Sequence, residues 1–490
     1  MKRKRLIFVL KLFAGLLVVL AVAAWGWNES TKSALAAAQA RCLAAGLPMT
    51  IDEIRPPPMP DADNAALVIA KIGPVLEPLL RESNEHGLAG KLDKFNEAHP
   101  GFRLDEAGTK ELATLLEPQP VQDVLALIRE AASRKGYDAK LEYEKGIDCK
   151  NPNEFPMAWA ARLLAPHALL AASRGQNAEA CADVWDMMIL ADFGAAEPID
   201  NSQRVHWRAW EQALDQLEKV VAAGAVSPAW NQKFVERLAG LDLIPGRVRA
   251  IDGSRIIVGV AIIDLLNLLK SGISPSSILL PMDGVPRDRG ELWNWLATQR
   301  YRAAGMVRIE YADYLDLMRE WRGRAAGTSS GEPSPLWKEL LGNRNFEEVF
   351  EHRLLGDLLE SSHLIECCVG GDRIENLQTE IAAAEVGLAM ERFHQTKGGY
   401  PAKMAELVPE FLREVPMDHG EPLIYIPGPG GAMIYGSRSI YGSRSLSEEE
   451  NDDLKYDSIR LDITCNWAAG AAATWKFGPH PLPTPALTGP

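Results

Sequence analysis

The chain has 490 residues, 47% hydrophobic and 24% charged, which is enough to bury a sizeable core in roughly two to four domains. A net charge of -14 argues against a nucleic-acid partner, which needs a basic stripe, and against a body lying flat on anionic lipid. The cysteines Cys42, Cys149, Cys181, Cys367, Cys368 and Cys465 are too few for a disulfide scaffold. They lack metal-ligand spacing and read as buried thiols.

Lys2-Arg3-Lys4-Arg5 precedes an apolar run from Leu6 to Trp27, broken once by Lys11. About 20 apolar residues at ~1.5 Å each span a ~30 Å hydrocarbon core. Residues 1–5 therefore read as a basic cytoplasmic tail and 6–27 as the contact with the membrane. The expected protein is single-pass in the cytoplasmic membrane, with its bulk outside the cytoplasm. Trp25 and Trp27 suit the outer aromatic belt. Ala21-Val22-Ala23 offers an A-x-A cleavage site, so a removed signal peptide is the alternative. The run is long for a signal h-region, and two tryptophans follow it, which favours the anchor.

Residues 28–60 read as a stalk: a helix to about 50, then the stiff spacer Arg55-Pro56-Pro57-Pro58-Met59-Pro60. Asp61 and Asp63 offer caps for a helix over 64–83. Glycine and proline punctuate 84–118, and another helix follows over 120–134. From Met157 the apolar positions recur at helical spacing. Arg174-Gly175-Gln176-Asn177 separates helices over 157–173 and 178–193, which form an αα-hairpin. Further helices are expected over 203–223, ended by Gly224; from Ser227-Pro228, with Ser as cap; and over 247–269. The last contains Asp264 and Asn267 within an apolar stretch of about 14 residues, which suits a buried core helix better than a second span. Residues 271–290 read as a loop and 290–320 as helical. Gly323–Pro335 reads as a linker and 336–369 as helical again. The fold class is mainly α. Residues 61–370 form a helical-hairpin domain, a stack of the tetratricopeptide-like kind or an irregular bundle. No 34-residue period is present.

The last part differs. Gly370-Gly371 precedes a helix over 373–396 that contains Ala384-Glu385-Val386-Gly387-Leu388 and ends at Lys397-Gly398-Gly399-Tyr400-Pro401. Leu407-Val408-Pro409, Phe411-Leu412, Val415-Pro416-Met417-Asp418 and Pro422-Leu423-Ile424-Tyr425 follow. This region resembles the globular part of type II secretion major pseudopilins over about 75 residues. The resemblance implies an α+β domain at 371–478. The residues agree: Pro422–Ile426, the turn Pro427-Gly428-Pro429-Gly430-Gly431 and Ala432–Tyr435 read as a hairpin, and Asp457–Thr464 alternates as a third strand would. A Pro-rich disordered tail at 479–490 completes the chain. Pseudopilins carry their membrane helix as part of this fold. Here it lies more than 340 residues away, so polymerisation in the pilin manner is not expected. The family's calcium loop falls where this chain has an Ile-Tyr-Gly-Ser-Arg-Ser repeat at 434–445 and the acidic run Glu448 to Asp453, which reads first as a solvated loop. The overall layout is also similar to membrane-anchored proteins of planctomycete-type bacteria. The match includes Pro58-Met59-Pro60-Asp61-Ala62-Asp63-Asn64-Ala65-Ala66 and implies no particular function.

No HExxH, GxSxG, GxGxxG or Walker sequence occurs, and no catalytic, cofactor or metal residue is assigned. Weaker features each have a structural explanation. His363 and Glu366 sit three apart on a helix and suit a surface or interhelical pair. His394 suits a helix C-terminus. Asp418-His419 lies in a turn. His206, Trp207 and Trp210 read as core. Asp61, Asp63 and Asn64 match a calcium loop only in part. The sequence therefore favours a non-enzymatic, membrane-tethered scaffold that binds proteins, with no small-molecule substrate. The alternative is an envelope hydrolase whose site assembles from distant residues. A His/carboxylate cluster in a pocket would favour the hydrolase; an apolar groove along the helices would favour the scaffold. Deleting 371–490 is expected to leave the helical part folded.

Overall fold

The computed structural model describes residues 2–81, 87–99, 104–271, 304–328, 371–418, 421–428, 431–435 and 474–476, with 332–335 and 338. It is mainly helical. The first helix, α1 (Lys2–Ala44), runs unbroken from the basic tail through the expected stalk. A short α2 (Ile51–Ile54) is closed by a capping box between Thr50 and Glu53, and the prolines follow. Next come α3 (Ala66–Arg81), α4 (Leu88–Ala98), α5 (Glu106–Leu116) and α6 (Gln119–Ala132).

The expected hairpin is α7 (Glu154–Ser173) and α8 (Asn177–Gly194). After it run α9 (Asp200–Ala222), α10 (Pro228–Ala239) and α11 (Ile244–Ser271). The breaks fall at the expected turns. Ser227 Oγ accepts from the Trp230 amide at the start of α10. Gly224, at φ +71°, ends α9 in a conformation that side chains disfavour. Ile256, Ile257, Val258 and Ile262 on α11 are buried, as a core helix requires. Among the described residues the further α-helices are α12 (Ala304–Ala325) and α13 (Gly371–Lys397), the latter closed at Gly398 with φ +79°.

A two-stranded ribbon pairs β1 (Met417–Asp418) with β2 (Glu421–Pro422). The hairpin of β3 (Ile424–Gly428) and β4 (Gly431–Tyr435) is antiparallel and opposes Gly428 to Gly431. β4 also pairs with β5 (Thr474–Lys476), so the sheet's third strand is β5. Asp457–Thr464, like 336–369 apart from 338, lies outside the described residues.

Three local expectations need correction. The cap of α3 is Asn64, whose Oδ1 accepts from the amides of Ala66 and Asp138; Asp61–Asp63 forms a 3-10 turn instead. The punctuated stretch 84–118 holds two helices. Leu88, Leu92 and Phe95 on α4, and Leu112, Ala113 and Leu116 on α5, bury one face of each. The linker expected from Gly323 begins later, because α12 continues through Ala325 and turns at Gly327.

The cores do not follow chain order. One contiguous apolar cluster joins α3–α10 to Ile374, Leu377, Leu388 and Met390 on α13 and to Ile434 on β4. It passes through the boundary expected at 370/371 without interruption. Asn231 Nδ2 on α10 donates to the Leu388 carbonyl on α13 at 2.9 Å. A second cluster joins Ala38, Cys42 and Leu47 to α11 and α12. Residues 31–47, expected as part of a stalk, are therefore packed into the body.

Candidate functional site

Among the described residues, one helix is long and apolar enough to cross a membrane: α1, over Lys11–Ala44, within which an 18-residue stretch reaches a mean hydropathy of 1.6. Phe8, Phe13, Trp25 and Trp27 are exposed along it. Beyond Trp27 the same helix meets α12. Arg308 Nη1 donates to Asn28 Oδ1 at 2.8 Å, and Arg41 grips Asp316 with Nε at 2.9 Å and Nη2 at 2.5 Å. Further along, Arg255 is 1% exposed and ties α11 to the Pro48 carbonyl and to Asp252, which also accepts from Arg322 Nε at 2.8 Å. The apolar segment is thus continuous, within one helix, with a packed body.

The second feature is a polar cluster between α6, α7 and α8. His167 and Asp183 lie eight residues on either side of Gly175, so folding the hairpin back on itself brings them together. The His167 Nδ1 lies 2.6 Å from Asp183 Oδ2. Asp183 is fully buried, and Arg129 Nη2 on α6 donates to its Oδ1 at 3.1 Å and to Glu179 Oε1 at 3.2 Å. A buried carboxylate held by two donors is the arrangement in which such a charge is tolerated. Burial next to Asp183 pushes the Asp186 carboxyl up to about 7, against the pull of Arg129 and Lys233.

His167 lines a cavity of about 160 Å³ together with Glu117, Gln122, Arg174, Gln176 and Glu179. Glu117 and Arg174 pair at 2.8 Å and also line a shallower hollow of about 680 Å³, which runs along α5 past Glu106 and Lys110. An Asp-held imidazole at a small cavity can accept or relay a proton, and the carboxylates can receive donors.

The residues singled out from the sequence lie elsewhere. His206, Trp207 and Trp210 are buried in the core, so no ligand stacks on them. His206 Nδ1 lies 2.6 Å from the Ala191 carbonyl, and burial pushes its pKa down to about 4. Asp61 and Asp63 pair with Lys140 and Lys135 at 2.8 and 3.0 Å. His394 stacks on Tyr400 at 4.5 Å between ring centroids. Asp418 is in β1. His363, Glu366, His419 and the acidic run at 448–453 lie outside the described residues, as do Cys367, Cys368 and Cys465. Cys42, Cys149 and Cys181 are free thiols; burial pushes Cys181 up to about 12. No group of three or more metal-ligating side chains is gathered among the described residues.

The cluster at His167 was not singled out from the sequence. The signal available was an acid and a histidine equidistant from a helical turn; the contribution of Arg129 from α6 had no sequence signal. No protein-family model matches the chain, and no curated protein or solved structure is similar to it.

Proposed function

We propose that the protein is a tethered binding protein of the cell envelope. It would be single-pass in the cytoplasmic membrane, with residues 1–5 in the cytoplasm and the body outside, holding protein partners. The observation that carries this reading is the unbroken passage of α1 from an exposed apolar stretch into a packed core, where Thr31, Ala38 and Cys42 are buried. A rigid helical tether fixes the height and orientation of the body. It also raises the effective concentration of the body toward partners in the same membrane. The basic residues at 2–5 support the orientation. A long helix ending at Gly398, followed by a small antiparallel sheet, supports a pseudopilin-like head at 371–478. By analogy with that family, the head would meet secretion or pilus-like machinery.

The test is a C-terminal alkaline phosphatase fusion combined with carbonate extraction. Enzyme activity outside the cytoplasm and retention in the membrane pellet are expected. A reporter active only in the cytoplasm, or release by carbonate, would overturn the reading. A pull-down from detergent-solubilised membranes then compares the full chain with one lacking 371–490.

The hydrolase alternative gains one observation, the His167–Asp183 pair with Glu179 over a cavity. It requires a substrate turned over by the wild type and not by His167→Gln. A panel of activated esters and amides hydrolysed equally by both forms removes it.

A further inference from the structure

Register places the end of the body that lies nearest the apolar stretch of α1. α1 and α12 run parallel: Trp27 lies against Gly305, Arg308 donates to Asn28, and Arg41 donates to Asp316. The approach at Gly305 is close, since a Cβ there would meet the Trp27 indole nitrogen at 2.5 Å and the Thr31 methyl at 3.3 Å. α11 runs the other way. Arg322 donates to Asp252, Tyr314 donates to the Ser254 carbonyl, Tyr311 lies against Gly259, and Leu266 shares a core with Val307. α12 therefore starts, and α11 ends, at the level of Trp27. Residues 267–271 carry α11 roughly 7 Å past that level, at ~1.5 Å per residue. The chain leaves this end of the body at Ser271 and returns to it at Ala304.

The side chains exposed here are of two kinds. Trp25, Trp27 and Ile263 are large and apolar, at 68%, 49% and 47% exposure, although Ile256, Ile257 and Val258 higher on α11 are buried. Glu29, Lys32, Asp264 and Asn267 are polar and exposed. Indoles and aliphatic groups mixed with hydrated charges match the headgroup layer of a bilayer. Hydrocarbon would strip the water from Asp264, so this end of α11 suits the interface and not a second span.

We propose that the end of the body formed by α11 and α12 is a membrane-contact surface, with residues 263–271 of α11 lying in the headgroup layer beside α1. The occupant is a zwitterionic phospholipid surface, because a net charge of -14 disfavours an anionic one. The contact is continuous with the span, and α11 and α12 both reach it. This rests on the reading of α1 as a membrane span. It adds a second attachment, which sets the tilt of the body on the membrane.

The test uses the full chain in phosphatidylcholine nanodiscs, with the photocrosslinker p-benzoylphenylalanine placed singly at Leu17, Ile263, Asn267 and Thr328, all exposed positions where the fold should persist. Thr328 lies just past the far end of α12, roughly 30 Å from Gly305 at ~1.5 Å per residue. Lipid adducts, counted by mass spectrometry, are expected at Leu17, Ile263 and Asn267, each at least tenfold above Thr328. Adducts at Leu17, with Ile263 and Asn267 no higher than Thr328, overturn the proposal and leave the span standing. An Ile263 cross-link that goes only to protein overturns it in the same way, since the surface is then covered by chain. Thr328 adducts as abundant as those at Ile263 would mean that the body lies along the bilayer, and they overturn it too. No adduct at Leu17 overturns the span reading, and the second attachment falls with it.

Discussion

His167 and His206 are both buried on packed helices, and their partners give them different properties. His167 has a buried carboxylate at 2.6 Å, whereas His206 has only the Ala191 carbonyl. Burial disfavours the charged ring and outweighs the Ala191 carbonyl, which favours it, so the His206 pKa falls from 6.5 to about 4. Between these values the unfolded chain takes up the proton and the folded chain does not. The contribution is therefore fully present above pH 6.5 and is lost as pH falls toward 4. Asp186 works in the opposite sense, since its raised pKa favours the folded state at low pH and the benefit is lost as pH rises to about 7. The informative measurement is thus a difference between two forms. His206→Gln keeps a donor for Ala191 and cannot titrate. Its melting temperature should improve relative to wild type as pH drops from 6.5 to 4. A constant difference across that range would mean that His206 is solvated.

At the scale of elements, α7 to α10 were legible because three signals agree there: dense apolar spacing, glycine or Ser-Pro at the boundaries, and short turns. α4 and α5 were not legible, because each is only 11 residues long and each buries only three or four residues of one face. The site was legible only up to the hairpin. Which residues meet across a hairpin depends on its register, and the approach of α6 is a tertiary event. Gly253 shows the same limit from the other side. Within α11 it looks like a weak point, since Ala is preferred to Gly in a helix by roughly 0.5–1 kcal/mol. In the fold, a Cβ at that position would lie 1.5 Å from the Pro198 carbonyl oxygen, in the turn between α8 and α9. Backbone cannot give way as a flexible side chain can. Gly253→Ala should therefore destabilise by roughly 1–3 kcal/mol, the range for overpacking, where helix propensity alone predicts a gain. Thermal unfolding followed by circular dichroism distinguishes the two signs.

For the whole molecule, the two cores suggest how the chain can be divided. The sequence suggested cuts at 60/61 and 370/371, where composition changes. The packing resists both. Removing 2–47 leaves Arg255, Asp316 and the faces of α11 and α12 without Arg41, Ala38, Cys42 and Leu47, which cover them. Removing 371–490 strips Ile374, Leu377 and Leu388, each at most 1% exposed, from the faces of α9 and α10 and leaves the Asn231 amide without its carbonyl. Fully burying such a side chain is worth about 1.5–3 kcal/mol. Either loss is therefore several kcal/mol, a large part of a typical net stability of ~5–15 kcal/mol. Because the losses fall on different cores, the fragments should fail differently. Fragment 28–490 keeps both cores and should melt as the intact body does. Fragment 48–490 should lose an early transition while α3–α10 with α13 melts later. Fragment 28–370 should expose the α9–α10 face and bind an apolar dye before heating, the reverse of the independence expected for 61–370 from sequence. If 28–370 melts cooperatively at the temperature of 28–490 and binds no dye, then α13 only rests on a core that is complete without it, and the boundary at 370/371 stands.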